Sequence, residues 1–207
     1  MLGFNSKQLM GVGIFLFMIF IGVPLAIGVT GRWDFYFTLT SVALLAIASA
    51  GVWLTFYIGR INIGQGAFAL IGAYVSAILV VKADWSFWIS LPAAGLFSAV
   101  VAILIGLPIL RLRGVYFAMI TLVLTQVVTL TALALPITNG ARGISNIPLP
   151  SGISVFGIPI LPDFAAMENT KLAFYYTACI IMLLTYAALY RLVNSRLGHL
   201  CRSMQQN

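Results

Sequence analysis

The sequence predicts an all-α, polytopic integral membrane protein of about six transmembrane helices with both termini in the cytoplasm. Three observations carry that prediction. Apolar residues are 62% of the chain and charged residues 7%, against roughly 25% charged in soluble domains, so a water-soluble exterior cannot be assembled from it. The apolar residues gather into six runs, 9–30, 35–58, 61–81, 86–110, 114–137 and 172–193, each at least 21 residues long. About 20 residues at ~1.5 Å rise cross a hydrocarbon core of roughly 30 Å. Finally, the charges sort by loop. Lys7, Arg60, Arg111, Arg113, Arg191, Arg196 and Arg202 lie in alternate flanking segments that hold no carboxylate, whereas Arg32/Asp34, Lys82/Asp84, and Arg142, Lys171, Asp163 and Glu168 cancel in the others. Cytoplasmic loops carry the excess of Lys and Arg, so both ends are expected inside, with the whole formal charge of +7.

The elements follow in order. The first run exceeds the roughly 7 to 15 residues of a signal-peptide core and lacks a small-residue cleavage site, so it is expected to stay as an anchor. The second, 35–58, is a span by length. In the third, Ala69, Ala73 and Ala77 repeat every four residues, as do Ala94, Ser98, Ala102 and Gly106 in the fourth. Such spacing lets helix backbones approach closely. Beside the first stripe runs a polar edge of Asn62, Gly64, Gln65, Gly66, Gly72, Tyr74 and Ser76. An amide facing lipid is costly, so Asn62 and Gln65 are expected to face protein or a wet path, and the whole edge supplies candidates for a translocation path or for helix packing. In the fifth span Thr121, Thr125 and Thr129 share a face and can bond their own helix carbonyls. Gln126 beside them cannot, and it is expected to bond across to another helix. Pro24, Pro92, Pro108 and Pro136 fall near span ends or kinks.

An outer loop is expected over 138–171. Pro148, Pro150, Pro159 and Pro162 forbid a continuous helix, so the apolar stretch Ile144 to Leu161 is not a further span. Ser151-Gly152 is the expected turn of a short hairpin. Thr138, Asn139, Gly140 and Gly143 are the loop's candidate functional residues. After the sixth span, Asn194 and Ser195 suit a helix N-cap, and Leu197, Leu200, Cys201 and Met204 recur at helical spacing. Residues 194–207 therefore read as a short amphipathic helix, fit for a membrane surface or a groove in a cytoplasmic partner.

Several functions are disfavoured. The pI near 9.8 does not point to nucleic acid, because the basic residues are scattered one to three per loop and form no patch. Cys179 and Cys201 are 22 residues apart, up to about 33 Å along a continuous helix, so they do not pair. With the lone His199 they cannot complete a metal site, and no cofactor is expected. No Asp, Glu, Lys, Arg or His stands in the middle of any expected span. Ion-driven carriers and intramembrane enzymes place ionisable groups there, so the weight shifts to a channel or to a permease energised by another subunit.

Four segments carry a resemblance. Gly59–Tyr74 (GRINIGQGAFALIGAY), Arg111–Thr121 (RLRGVYFAMIT), Thr138–Pro148 (TNGARGISNIP) and Asn194–Asn207 occur in that order. The chain from residue 35 onward resembles the inner-membrane permeases of branched-chain amino acid ABC importers, of the LivM type. That resemblance implies a non-enzymatic pore-forming subunit in the bacterial cytoplasmic membrane, working with a second permease subunit, two ATP-binding subunits and an extracytoplasmic substrate-binding protein. It implies that Leu197, Gly198, Leu200, Arg202 and Met204 belong to the segment that docks on the ATPase. Members of the family continue past that segment into further spans, whereas this sequence stops at Asn207, which implies a truncated product, a split subunit or an incomplete gene. A cargo of urea or short amides, or a passive channel or structural role, stands as the alternative.

The orientation is testable by labelling. In a chain lacking Cys179 and Cys201, a cysteine at position 142 is expected to react with an impermeant maleimide from outside and one at position 60 only after permeabilisation. Labelling of position 60 in intact cells would invert the topology.

Overall fold

The computed structural model describes residues 18–31, 33–112, 114–155, 158–161, 164, 169–195 and 198. A π-helical turn, Met18–Gly22, runs into helix α1 (Val23–Thr30). There follow α2 (Phe35–Tyr57), α3 (Gln65–Lys82), α4 (Phe87–Ile109) and α5 (Val115–Ala134). Two 3-10 turns, Pro136–Thr138 and Gly140–Arg142, then lead to a small hairpin of β1 (Ile153–Val155) and β2 (Ile158–Leu161), and α6 (Thr170–Val193) closes the order. Helices α2 to α6 have 18 to 24 residues and are each long and apolar enough to cross a membrane. The architecture is all-α with one two-stranded hairpin between α5 and α6. Of the first expected span, residues 9–17 lie outside the described part.

Three boundaries differ from expectation, each for a local reason. Helix α3 begins at Gln65, four residues after 61, because Gly59 and Asn62 hold the preceding segment in non-helical turns described below. Helix α5 ends at Ala134, and Leu135 turns extended at ψ 133°, since Pro136 offers no amide and disfavours helix in the residue before it. The hairpin lies just beyond Ser151-Gly152: Ile153 pairs with Leu161, Ser154 with Pro159 and Val155 with Ile158. Between the two strands the sequence supplies Gly157, a residue type that hairpin loops favour.

The helices sort into two groups. Helices α3 and α4 pack most extensively, with α5 against α3, while α2 packs along α6 and the α1 region joins that pair. Small residues permit the first contact. A Cβ on Gly72 would lie 3.9 Å from Ser98 Cβ, Ser98 Oγ donates to the Phe68 carbonyl at 2.8 Å, and the Ser76 and Ser90 hydroxyls meet at 3.2 Å. The second group centres on Ile27, Tyr36, Tyr175 and Cys179, and continues into Ala43, Ala178 and Met182.

Pro24 explains why that centre is rich in tyrosine. An amide at position 24 would bond the carbonyl of residue 20 in an α-helix, or of residue 19 in a π-helix, and proline has none. Tyr176 donates its hydroxyl to the Phe20 carbonyl at 3.1 Å and Tyr175 to that of Ile19 at 2.8 Å. Tyr36 donates to the Pro24 carbonyl at 3.2 Å. Both carbonyls that the single missing amide could have served are thus held by tyrosine hydroxyls from α6.

Replacing Tyr175 or Tyr176 by Phe is expected to cost about 0.5–2 kcal/mol each, because a carbonyl loses its partner away from water. Tyr186→Phe, which releases an Ala46 carbonyl inside a continuous helix, is expected to cost less. Thermal unfolding in detergent checks the difference, and equal melting temperatures in all three variants would refute it.

Candidate translocation furrow

The site is built around the segment between α2 and α3. Gly59, at φ 81°, takes the left-handed conformation that ends a helix cheaply. The Gly59 amide donates to the Phe56 carbonyl at 2.9 Å and the Arg60 amide to the Thr55 carbonyl at 3.0 Å, the two bonds of a Schellman cap. The turn aims Arg60 at the end of α4, where its Nη1 donates to the carbonyls of Leu110 and Leu112, both at 2.9 Å. Its guanidinium carbon also lies 5.3 Å from the centre of the Phe117 ring. A cation suits the negative end of a helix whose last carbonyls lack helical partners.

Next, Asn62 Oδ1 accepts the Gly64 amide at 2.8 Å, an Asx turn that keeps the segment from starting a helix early. The threonine face of α5 holds the same segment. The Ile63 amide donates to Thr121 Oγ1 at 3.2 Å, and Thr125 Oγ1 donates to the Ile63 carbonyl at 3.5 Å. Gly64 is buried, and a Cβ there would meet the Thr121 carbonyl at 3.2 Å. The Gln65 side chain lies over Gly51 of α2, 3.1 to 3.3 Å from where a Cβ would stand.

Beyond Gln65 a furrow of about 1340 Å³ runs along α3 and α4. The Ala69, Ala73 and Ala77 stripe and the Ala94, Ser98, Ala102 and Gly106 stripe line it, with Ile47 of α2 and Ile181 of α6 opposite. Arg60, Asn62 and Gln65 stand at one end, Phe87 and Ile147 at the other. The wall is largely apolar, and amides and hydroxyls punctuate it at Asn62, Gln65, Ser76, Ser98 and Thr121. Arg60 is the charged residue on it, already engaged with α4. Such a surface suits a small solute with an apolar side chain and a polar head.

The polar edge expected from the sequence divides. Asn62, Gln65, Gly72 and Ser76 line the furrow. Gly64 and Gly66 instead sit against α5, Gly66 with Thr125 Cγ2 at 3.4 Å. Tyr74 does not line the furrow. Gln126 is exposed and bonds to no helix among the described residues, unlike the expected crossing bond. Successive residues of a helix are turned by about 100°, so with Thr125 facing the 59–64 segment Gln126 looks away.

In the loop between α5 and α6 Thr138 is buried and donates to the carbonyls of Leu135, at 2.7 Å, and Ala132, fastening the end of α5. Asn139, Gly140 and Gly143 all have positive φ, and Asn139, Arg142 and Gly143 line a shallow polar recess with Ser145. Lys82 Nζ reaches the Ile137 carbonyl at 2.8 Å and Trp88 Nε1 the Ser151 carbonyl at 3.0 Å. Trp88, Phe164 and Phe174 meet edge to face, with centroids 5.6 and 5.0 Å apart. Of the tail candidates, Gly198 is buried with its backbone against the Val193 carbonyl, and Leu197, Leu200, Arg202 and Met204 lie outside the described residues. Among the described residues no cluster of metal-ligating side chains occurs.

Sequence reasoning gave Arg60 only a topological role and the threonines only self-satisfaction. The helix-ending glycine directly before Arg60 was the available signal. Arg60→Ala is expected to destabilise the protein by about 1.5–3 kcal/mol through loss of two charge-assisted bonds, and Arg60→Lys by less. Thermal unfolding measures both, and an Ala variant as stable as the parent would remove Arg60 from this role.

Residues 35–207 match the family model described as branched-chain amino acid transport system, permease component. Over 101 residues the chain is 44% identical to the high-affinity branched-chain amino acid transport system permease protein LivM of Salmonella typhimurium strain LT2. It is 43% identical over 101 residues to the protein of that name in Escherichia coli strain K12. Each match covers 48% of this chain and 23% of the relative, so the aligned part is under a quarter of those proteins. No solved structure gives a significant match. With five helices among the described residues long and apolar enough to cross a membrane and a family match over most of its length, this chain is a multi-pass protein of the bacterial inner membrane and belongs to the permease family of branched-chain amino acid transport systems.

Proposed function

We propose that the chain is a membrane-spanning permease subunit of an ABC importer, moving branched-chain or related amino acids inward with energy from a partner ATPase. The observation that carries this reading is the furrow. Its wall joins small apolar residues to the Asn62 and Gln65 amides, and among the described residues no carboxylate or histidine lines it. Amides and hydroxyls can pass a zwitterion's head groups along while the small-residue wall accommodates a branched side chain. None of these groups can carry a coupling proton, so the driving force comes from another subunit.

The complete assembly in this reading contains a second permease subunit, two ATP-binding subunits and an extracytoplasmic substrate-binding protein. Both termini face the cytoplasm. The 194–207 segment docks on the ATPase through Leu197, Gly198, Leu200, Arg202 and Met204. The outer loop, with Thr138, Asn139, Gly140 and Gly143, faces the binding protein. Its anchoring by Lys82, Trp88 and Phe164 supports that role, since a docking platform has to be held in place.

Proteoliposomes containing the chain with its partner subunits and binding protein are expected to accumulate labelled leucine only with ATP. Ala73→Trp, which fills the exposed wall of the furrow, is expected to slow uptake by about tenfold or more without loss of assembly. Uptake by the purified chain alone, driven by a pH or sodium gradient, would overturn the reading. Accumulation of urea in place of leucine would reassign the cargo.

A further inference from the structure

Arg60 has more donors than the fold uses. A guanidinium carries five N–H groups, and the two on Nη1 go to the carbonyls of Leu110 and Leu112, each at 2.9 Å. The Nε–Nη2 edge is left over. Among the described residues no hydrogen bond or ion pair engages that edge, while Arg60 itself lines the furrow. The Phe117 ring, also on the furrow wall, has its centre 5.3 Å from the guanidinium carbon. Two carbonyls and a ring thus fix the plane of the fork before anything binds.

The charge is unanswered as well. Asp34 and Asp84, the carboxylates among the described residues, stand beyond the opposite ends of α2 and α3, about 25 Å or more away along the helix axes at ~1.5 Å per residue. Neutral donors add to the same end of the furrow. Asn62 spends its Oδ1 on the Gly64 amide at 2.8 Å, which leaves its NH2 group, and the Gln65 side chain makes no hydrogen bond among the described residues. Unspent N–H groups gathered at one end of an apolar trough favour an anion there.

A carboxylate fits that edge, because its two oxygens accept from two parallel N–H bonds in a bidentate pair. Phosphate and sulfate match the fork too. The wall decides between them: Gly106 lies one helical turn before Leu110, and Ala102, Ala73 and Ala69 continue the lining. Such a wall accommodates an apolar tail and offers nothing to the remaining oxygens of a doubly charged ion.

We propose that the Nε–Nη2 edge of Arg60 is the carboxylate subsite of the furrow, selecting monocarboxylates with an apolar tail over the corresponding amides and amines. The proposal rests on the transport reading above and narrows its cargo. A solute without a carboxylate, urea and short amides included, lacks the group that this end recognises.

The test uses the full chain in lipid nanodiscs, with Cys179 and Cys201 replaced by Ala and Gly106→Cys as the reporter. A Cβ at Gly106 would meet nothing within 4 Å, so the reporter is accommodated. Its rate of modification by a small water-soluble methanethiosulfonate is read against three probes of one skeleton, 4-methylpentanoate, 4-methylpentanamide and 4-methylpentylamine. The carboxylate is expected to slow modification at a concentration about tenfold or more below that of the amide or the amine. Arg60→Gln is expected to abolish this preference, and Arg60→Lys, which keeps the charge but not the fork, to retain part of it. Equal protection by amide and carboxylate in the chain with Arg60 intact, or no protection by the carboxylate, would overturn the subsite whatever the variants do, as would an undiminished preference in folded Arg60→Gln. ATP-driven leucine uptake with the partner subunits is scored separately: uptake without the carboxylate preference rejects the subsite alone, and the preference without uptake rejects the transport reading alone.

Discussion

Within hydrocarbon each backbone amide and carbonyl has to find its partner inside the protein, and this requirement governs every irregular feature of the fold. Three places break helical continuity at membrane depth or close to it. At the first, Pro24 removes a donor, and Tyr175 and Tyr176 from α6 hold the two carbonyls that it could have served. At the second, the 59–64 segment leaves α2 through a glycine cap, turns on Asn62 and is held by Thr121 and Thr125. At the third, the carbonyls ending α4 receive Arg60. Each repair comes from a different element, so the breaks themselves fasten helix to helix. In a bilayer, where burial of apolar surface gives little drive for association, such bonds and close packing do what a hydrophobic core does in water.

The close packing has its own consequence. Alanines, glycines and serines bring α3 against α4, and the same small side chains leave the adjoining surface recessed. Larger residues at Ala73 or Ala102 would fill the furrow. One choice of residue size therefore sets both the tightness of the helix pair and the width of the path beside it. The polar groups gather at the end where the 59–64 segment crosses, because a non-helical stretch is where amides are already needed to satisfy the backbone.

Much of this was legible in the sequence. The length and apolarity of α2 to α6 fix their existence, since bilayer thickness leaves few alternatives for runs of 18 to 24 residues. The small-residue stripes and the Asn62 and Gln65 edge could be located because they follow helical spacing. Arg60 and the tyrosines could not be matched to their partners, since the carbonyls they reach lie 50 and 156 residues away and a carbonyl leaves no mark in a sequence. Gln126 shows the opposite failure. Its polarity led to the expectation of a bond to another helix, which is not found among the described residues: a rotation of about 100° per residue separates the threonine face from its own, and only the packing of Thr125 reveals which one turns inward.

Directional bonds and non-directional contacts are distributed unequally, and that distribution bears on how the path could open. The tyrosine bonds, and the exposed Lys171–Asp34 pair at 2.7 Å, join α1, α2 and α6. The Arg60, Thr121, Ser98 and Ser76 bonds tie α3, α4 and α5 to one another and to the segment before α3. Along the seam between the groups the approach is of another kind: the Gln65 amide rests on Gly51, and Ile47 and Ile181 share with the alanine stripes the lining of an open furrow. Dispersion contacts between small and branched side chains survive a shift of an ångström or two, whereas hydrogen bonds weaken steeply once bent or stretched. In the proposed import cycle the compliant direction is therefore a slide of one helix group along the other, with each group moving as a body. At Arg60, where α2 passes its chain directly into the bonded segment, the two groups are tied together, so the shift is smallest there and grows toward the other end of the furrow.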